Sequence, residues 1–173
     1  MKITIFGLAW SGTSTVWKLL AEKLGYTFMS SGNIMRSWAE SAWMSIYEYE
    51  EKVVSKDNNF DIKLDNEVEN FGQNNDNFIF ESRLAWNFIP DSLKIFLDCS
   101  QETRYNRIQN REKESIQEVT EKNLQRETQL VQRYKEVYPH IQFPPSKDVF
   151  DIVIDAQNHS PEEIIDIILP HTK

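Results

Sequence analysis

Residues Ile3-Thr4-Ile5-Phe6 run into Gly7-Leu8-Ala9-Trp10-Ser11-Gly12-Thr13-Ser14-Thr15 and then into a segment with apolar residues at helical spacing. No other stretch restricts the fold as strongly. A buried-type strand entering a helix through a loop with glycines five positions apart has the spacing of G-x-x-x-x-G-K-[ST]. In that pattern backbone N–H groups at a helix N-terminus surround phosphate. Position 13 is Thr where the pattern has Lys. Glycines and a Ser or Thr cap also suit an ordinary strand-to-helix turn, so the meaning of the loop depends on the rest of the chain.

The chain has 173 residues, which suits one domain (1–173), and 40% of them are hydrophobic, enough for a substantial core. Its formal net charge of -8 repels polyanions over most of the surface, which argues against general affinity for nucleic acid or anionic membrane. An anionic ligand therefore needs a local basic site. Cys99 is the only cysteine, so an intrachain disulfide and a cysteine-built metal cluster are excluded, and a small buried residue is its expected role. His140, His159 and His171 lack the spacing of a metal site. The first apolar stretch is too short for a signal peptide, and no run of 18 uncharged apolar residues occurs. A soluble, cytoplasmic protein is the expectation.

Val16, Leu19, Leu20 and Leu24 recur at helical spacing, and Gly25 marks the stop. Tyr26-Thr27-Phe28-Met29 reads as a second strand, followed by a Ser30-Ser31-Gly32-Asn33 connection and a helix carrying Arg36 and Trp38. Residues 39–71 read as mostly helical, and Phe60, Leu64, Val68 and Phe71 give the last of these helices an apolar stripe. Asp61 and Asp65 share a face of that helix. Such a pair is ordinarily a solvated surface; the alternative is binding to sugar hydroxyls or base amines, and both residues are candidates for it.

Phe78-Ile79-Phe80 predicts a buried strand ending in Glu81-Ser82-Arg83, Lys94 to Cys99 a fourth strand, and Val149 to Ile154 a fifth. Ser115-Ile116-Gln117-Glu118 has the form of a capping box, and Ser160-Pro161-Glu162-Glu163 joins a cap, a Pro at the first helical position and an acidic first turn. Strands without polar alternation, separated by helices, predict an α/β fold: a five-stranded parallel sheet flanked by helices in three layers. Right-handed crossovers would bring the first loop, Ser31-Gly32, Glu81 to Arg83 and Asp98 to one rim.

The seven arginines are not scattered. Arg36 and Arg83 follow strand ends; Arg104, Arg107 and Arg111 share one helix face, and Arg126 and Arg133 another. Arg is preferred to Lys where a planar, permanently charged fork grips phosphate oxygens, so this segregation in an acidic chain points to a phosphate-rich site.

With these residues in hand, the chain resembles the P-loop nucleoside monophosphate kinases, and most nearly the short archaeal-type cytidylate kinases. The resemblance is carried by the first loop, Leu20-Ala21-Glu22-Lys23-Leu24-Gly25, Ser31-Gly32-Asn33-Ile34-Met35-Arg36, Glu81-Ser82-Arg83-Leu84-Ala85, Arg126-Glu127 through Arg133-Tyr134, and Ser160-Pro161-Glu162-Glu163. It implies the P-loop kinase fold, a helical monophosphate-binding insert near 31–72 and a lid near 107–126. It further implies ATP held by Gly7 and by Trp10, Ser11, Gly12, Thr13, Ser14 and Thr15, with Ser14 as the Mg2+ ligand. Ser31, Arg36 and Arg83 would hold an acceptor monophosphate, and Glu81 would stand near the metal waters or the acceptor. Arg107, Arg111, Arg126 and Arg133 would neutralise the transferring phosphoryl.

The sequence departs from that family at Thr13 for Lys, Trp10 for a small residue, Asn33 for Asp, Ser82 for Gly, and Leu130 at a position where bacterial relatives often have Asp. Loss of the loop cation costs about a thousandfold in rate unless another group supplies it. Lys18 points away around the helix, which leaves a lid arginine as the expected substitute. Three functions follow: phosphorylation of CMP, dCMP or a related monophosphate; nucleotide binding without transfer, in a sensor or partner-binding subunit; and phosphorylation of a non-nucleotide alcohol. Neither the acceptor base nor the oligomeric state is fixed by the sequence.

Overall fold

The structure is a computed structural model. It describes residues 1–57, 59–112 and 115–172, and within them it leaves the side chains of Thr13, Arg111, Glu112, Lys122 and Arg126 undescribed. Five strands, β1 (Lys2–Gly7), β2 (Thr27–Ser30), β3 (Phe78–Glu81), β4 (Leu93–Asp98) and β5 (Ile152–Asp155), form one parallel sheet in the order β2-β3-β1-β4-β5. The helices are α1 (Thr13–Leu24), α2 (Ser31–Ser41), α3 (Ile46–Lys52), α4 (Phe60–Asn74), α5 (Ala85–Phe88), α6 (Gln101–Glu112), α7 (Ile116–Val137) and α8 (Pro161–Ile168). By internal contacts the chain divides into two compact units, residues 1–6 with 17–93 and residues 7–16 with 94–173.

In the first unit, β3 lies between β1 and β2, with Ile3 and Phe28 both in register with Ile79. Continuous burial of Ile3, Ile5, Phe78, Ile79 and Phe80 explains why these strands lack polar alternation: both faces of the sheet are covered. The stripe on α4 places Val68 and Phe71 against Phe78, Phe80, Ala85 and Ile89, and the Phe71 ring meets Phe78 and Phe80 edge-on at 5.0 and 5.4 Å. Thr4, buried in β1, exchanges a 2.7 Å hydrogen bond with Ser92, whose hydroxyl also lies 2.7 Å from the Ile89 carbonyl. A buried hydroxyl pair of this kind is satisfied rather than costly. Gly25 ends α1 at φ 67°, with Tyr26 N–H donating to the Ala21 carbonyl and Gly25 N–H to the Glu22 carbonyl. That is the left-handed helix stop expected of glycine.

In the second unit, β4 and β5 pair from Ile95–Ile152 to Asp98–Asp155. The capping boxes at Ser115/Glu118 and Ser160/Glu163 both form. Ile164, Ile165 and Ile168 of α8 are buried, and Tyr134 of α7 meets Phe143 edge-on at 4.8 Å.

Two boundaries differ from the sequence reading. Residues Lys147–Val149 form a 3-10 turn, so the fifth strand begins at Ile152 rather than Val149. Asp151 explains the delay: its N–H donates to the Lys94 carbonyl, its carboxylate accepts from Lys94 N–H, and this exchange opens the ladder. The residues Ser31 to Asn33 are not a connection but the first turn of α2, because Ser30 is the cap and accepts from Asn33 N–H at 3.1 Å. The single turn α5 has no periodic signal and was not expected.

Candidate functional site

The first loop is built around a tight turn. Ser11 N–H donates to the Leu8 carbonyl at 3.1 Å, and Trp10, third in that turn, has φ 70°; Gly12 follows at φ 100°. A left-handed conformation suits Gly12 but costs a bulky L-residue about 1–2 kcal/mol. The indole of Trp10 packs on Tyr105 and Ile108 of α6 and Val119 of α7, and that burial offsets the strain. This packing is the physical account of a tryptophan in a left-handed position of the loop.

Two arginines of α6 hold the loop from its carbonyl side. Arg107 donates from Nη1 to the Trp10 carbonyl (3.2 Å) and from Nη2 to the Ala156 carbonyl (3.0 Å), and a Cβ built on Gly12 would lie 3.5 Å from its Nη1. Arg104, only 3% exposed, donates from Nη1 to the Ala9 carbonyl (3.2 Å) and pairs with Glu127 of α7 at 2.5 Å. In a trans peptide the C=O and the following N–H point to opposite sides. Fixing the Ala9 carbonyl therefore fixes the Trp10 N–H as well.

Trp10, Ser11, Gly12, Ser14, Thr15 and Val16 floor a cavity of about 460 Å3 whose walls are Arg107, Ala156, His159, Pro161 and Ile164. That volume suits a small-molecule ligand. Within it, the Ser11 hydroxyl is buried and has no hydrogen-bond partner among the described residues, so a polar ligand is the natural complement to it. The 155–160 turn that carries His159 is tied down by Asp155. Its carboxylate accepts from Asn158 at 2.6 Å and from Gln157 N–H at 3.1 Å, and His159 Nδ1 donates to its backbone carbonyl at 2.8 Å. The Asn158 hydrogen bond holds the Asp155 carboxyl below the usual carboxylate range, as does Gln157 N–H. Cys99 is buried, and desolvation pushes its thiol up; Arg107 and Arg104 pull it only partly back, so it is the inert small residue expected.

Ser14 lies on the cavity floor in the first turn of α1, where one hydroxyl suits Mg2+, a cation bound mainly through substrate phosphates and water. Among the described residues no group of three or more His, Cys, Asp or Glu forms a metal cage. No described helix is long and apolar enough to cross a membrane.

The other sequence candidates fall in the first unit, apart from Gly7, Thr13 and the remaining arginines. Arg36 folds back over the start of its own helix: Nη2 donates to Asn33 Oδ1 at 3.0 Å, and a Cβ on Gly32 would meet its Nη1 at 3.5 Å. Beside it, the Ser31 hydroxyl is buried without a partner among the described residues. Glu81 closes β3, in register with Ile5 and Ser30, and Arg83 follows two residues later. Asp61 and Asp65 are not the solvated face that is ordinary for such a pair: they are 8% and 5% exposed, on the α4 face that also buries Leu64 and Val68. Arg133 is exposed on α7 and is not part of the cavity wall, while the side chains of Thr13, Arg111 and Arg126 lie outside the described residues. Lys18 is exposed on α1.

Sequence reasoning did not select Arg104, Glu127, Ala156, His159 or Pro161. Arg104 was visible as the helical neighbour of Arg107, but only the fold shows that it turns inward to the loop. Pro161 read as a helix start, which it is, and it walls the cavity because α8 begins there.

A sequence-family profile described as an AAA domain matches residues 3–130. The chain is 36% identical to a cytidylate kinase of Methanobrevibacter smithii over 173 residues, covering 100% of this chain and 99% of the relative. It is 32% identical to a cytidylate kinase of Methanococcoides burtonii, covering 97% and 94% of the two chains. Among solved structures, an uncharacterized protein from Eubacterium ventriosum superimposes with a TM-score of 0.72 at 17% identity, covering 99% and 97% of the two chains. Shikimate kinase from Aquifex aeolicus superimposes with a TM-score of 0.64 at 20% identity, covering 98% and 95%, a likeness of fold alone. Strand order, phosphate-type loop and end-to-end similarity agree, and the chain belongs to the cytidylate kinase family of P-loop proteins.

Proposed function

We propose that this protein transfers the γ-phosphoryl group of ATP to a nucleoside monophosphate, CMP or dCMP before others, giving two nucleoside diphosphates. The observation that carries the reading is the cavity over Trp10 to Val16, with its loop carbonyls held back by cationic side chains. Phosphoryl transfer asks the protein for positioning and charge stabilisation rather than covalent chemistry. In this reading the backbone N–H groups from Trp10 to Thr15 hold the donor phosphates, and Gly7 and Gly12 give the loop its shape. The buried Ser11 hydroxyl belongs to the same cradle. Ser14 would hold Mg2+, which would supply positive charge beside the donor phosphates.

Arg107 takes over the charge of the missing loop lysine. What supports this is its fork spanning Trp10 and Ala156 beside Gly12. Arg111 and Arg126, in a lid over about residues 107–126, and Arg133 further along α7 act with it on the transferring group. The acceptor binds between the insert of residues 31–72 and the end of β3: Arg36, Arg83 and the Ser31 hydroxyl take its phosphate, and Glu81 faces the acceptor or the metal waters. The burial of Asp61 and Asp65 supports their use on a base amine or sugar hydroxyls, because withdrawn carboxylates discriminate by hydrogen bonding better than solvated ones. ATP and a nucleoside monophosphate are thus the small-molecule partners, in a cytoplasmic enzyme without nucleic-acid or membrane attachment.

The test is ADP formation by the purified full chain with ATP, Mg2+ and a panel of monophosphates, in which CMP or dCMP should give the highest kcat/KM. One specific observation, Thr at position 13, favours a second reading in which the protein binds nucleotide without transferring phosphate. Thermal stabilisation by ATP with no turnover on any acceptor would establish that reading. Turnover on a non-nucleotide alcohol alone would replace both.

A further inference from the structure

The loop does not hold its shape by its internal turn alone. It contains a tryptophan in a left-handed conformation, and what fixes that residue lies about a hundred positions away on α6 and α7, where Tyr105, Ile108 and Val119 receive the indole. The same two helices supply a polar contact. One guanidinium, that of Arg104, donates both to the Ala9 carbonyl of the loop and to Glu127 of α7. Arg104 is buried, so its orientation is set by these two partners rather than by solvent.

We propose that Arg104 is a positioning residue for the donor nucleotide: by bridging the Ala9 carbonyl and Glu127, it transmits the placement of α7 to the phosphate-binding face of the loop. The inference rests on the reading of the loop as the donor site, but it concerns a residue pair that does not touch the donor. When Glu127 pulls on the guanidinium, Arg104 draws the Ala9 carbonyl backwards, and the opposed Trp10 N–H turns forwards. The adjacent indole supplies an apolar hinge between the same elements. α7 carries two of the proposed phosphoryl-binding arginines, Arg126 next to Glu127 and Arg133 two turns on. Donor binding at the loop is therefore coupled to the helix that presents the transfer machinery. Coupling of this kind is reciprocal.

The experiment uses the full chain and ADP as the probe, with calorimetric affinities for the parent, Glu127→Gln, Arg104→Gln, Arg104→Lys and Glu127→Gln/Arg104→Gln. Glu127→Gln is isosteric and keeps an acceptor oxygen for Arg104, and Tm measured on each variant separates lost coupling from lost fold. We expect it to weaken ADP binding by about fivefold and Arg104→Gln by about tenfold or more, with Arg104→Lys recovering part of the loss. The double variant should bind no worse than Arg104→Gln alone, since both changes cut one chain of contacts. In steady state, the KM for ATP should rise while the KM for the acceptor stays within about twofold, a split that a general loss of folded enzyme would not give.

Full ADP affinity in Glu127→Gln, or strictly additive losses in the double variant, would overturn the proposal while leaving the donor site intact. No ADP binding by the parent would instead remove the reading on which it rests.

Discussion

Nη1 of Arg107 stands 3.2 Å from the Trp10 carbonyl oxygen and 3.5 Å from where a Cβ on Gly12 would lie, while Nη2 of the same group donates to the Ala156 carbonyl at 3.0 Å. One planar fork thus spans the phosphate-type loop and the end of β5. A lysine can deliver the charge but not a rigid fork of two nitrogens.

Arg107→Gln is accordingly expected to lower kcat/KM for ATP by about a hundredfold to a thousandfold, the usual cost of removing a donor that stabilises transferring charge. Arg107→Lys should recover about a tenth of the parent activity because charge returns without the bridge. A coupled assay for ADP release reads both values; parent-like rates in Arg107→Gln would show that the loop draws its cation from elsewhere.

Thr13→Lys puts back the residue that the loop pattern specifies. If Arg107 carries the charge, a second cation is redundant, and turnover should stay within about threefold of the parent or fall. A gain of a hundredfold or more would show that the parent site has decayed. The same coupled assay decides, with ADP affinity measured alongside to separate binding from transfer.

Gly72→Ala tests the packing that positions β3 and hence Glu81. Alanine in an exposed helix interior gains about 1 kcal/mol over glycine. Here the new Cβ would lie 2.7 Å from Ile89 Cγ1, inside contact distance, and Ile89 is itself buried against Phe78 and Phe80. Overpacking therefore wins, and a net loss of about 1–3 kcal/mol is expected in urea unfolding.

Acid should loosen the turn carrying His159. Hydrogen bonds from Asn158 and Gln157 hold the Asp155 carboxyl below its unfolded value, so its contribution is complete above the ordinary carboxylate pKa near 4 and is lost as pH falls through the lower folded value. The parent should show a flat Tm from about pH 7 to 5 and a decline on further acidification. Asp155→Asn should have a lower Tm at neutral pH and a shallower acid limb. The limb will not vanish, because Asp91, Asp148 and Glu163 are held down in the same way by Lys2, Ser146 and Ser160.

Much of the fold is legible in the residues because its signals are local. The capping boxes at Ser115 and Ser160 close over three residues, and the stop at Gly25 over five. Continuous apolar runs at Ile3 to Phe6 and Phe78 to Phe80 announce strands covered on both faces. The site is legible only in part. Two arginines of α6 meet the loop, and which ones do so depends on how α6 is rotated. The carboxylates of Asp61 and Asp65 looked solvated because helical spacing gives a shared face without saying which way that face points.

By itself, the sequence determined the order of strands and helices, their caps, and a glycine-bounded loop ready for phosphate, since each follows from backbone hydrogen bonding among residues a few positions apart. Only the tertiary structure decided which side chains surround that loop where the lysine is missing. Arg104 and Arg107 reach it across sequence separations of 95 and 97 residues, and Trp10 keeps its left-handed turn because Tyr105, Ile108 and Val119 bury its ring. Charge placement and burial depend on which distant side chains share a volume, and that is a property of the packed chain rather than of any local stretch.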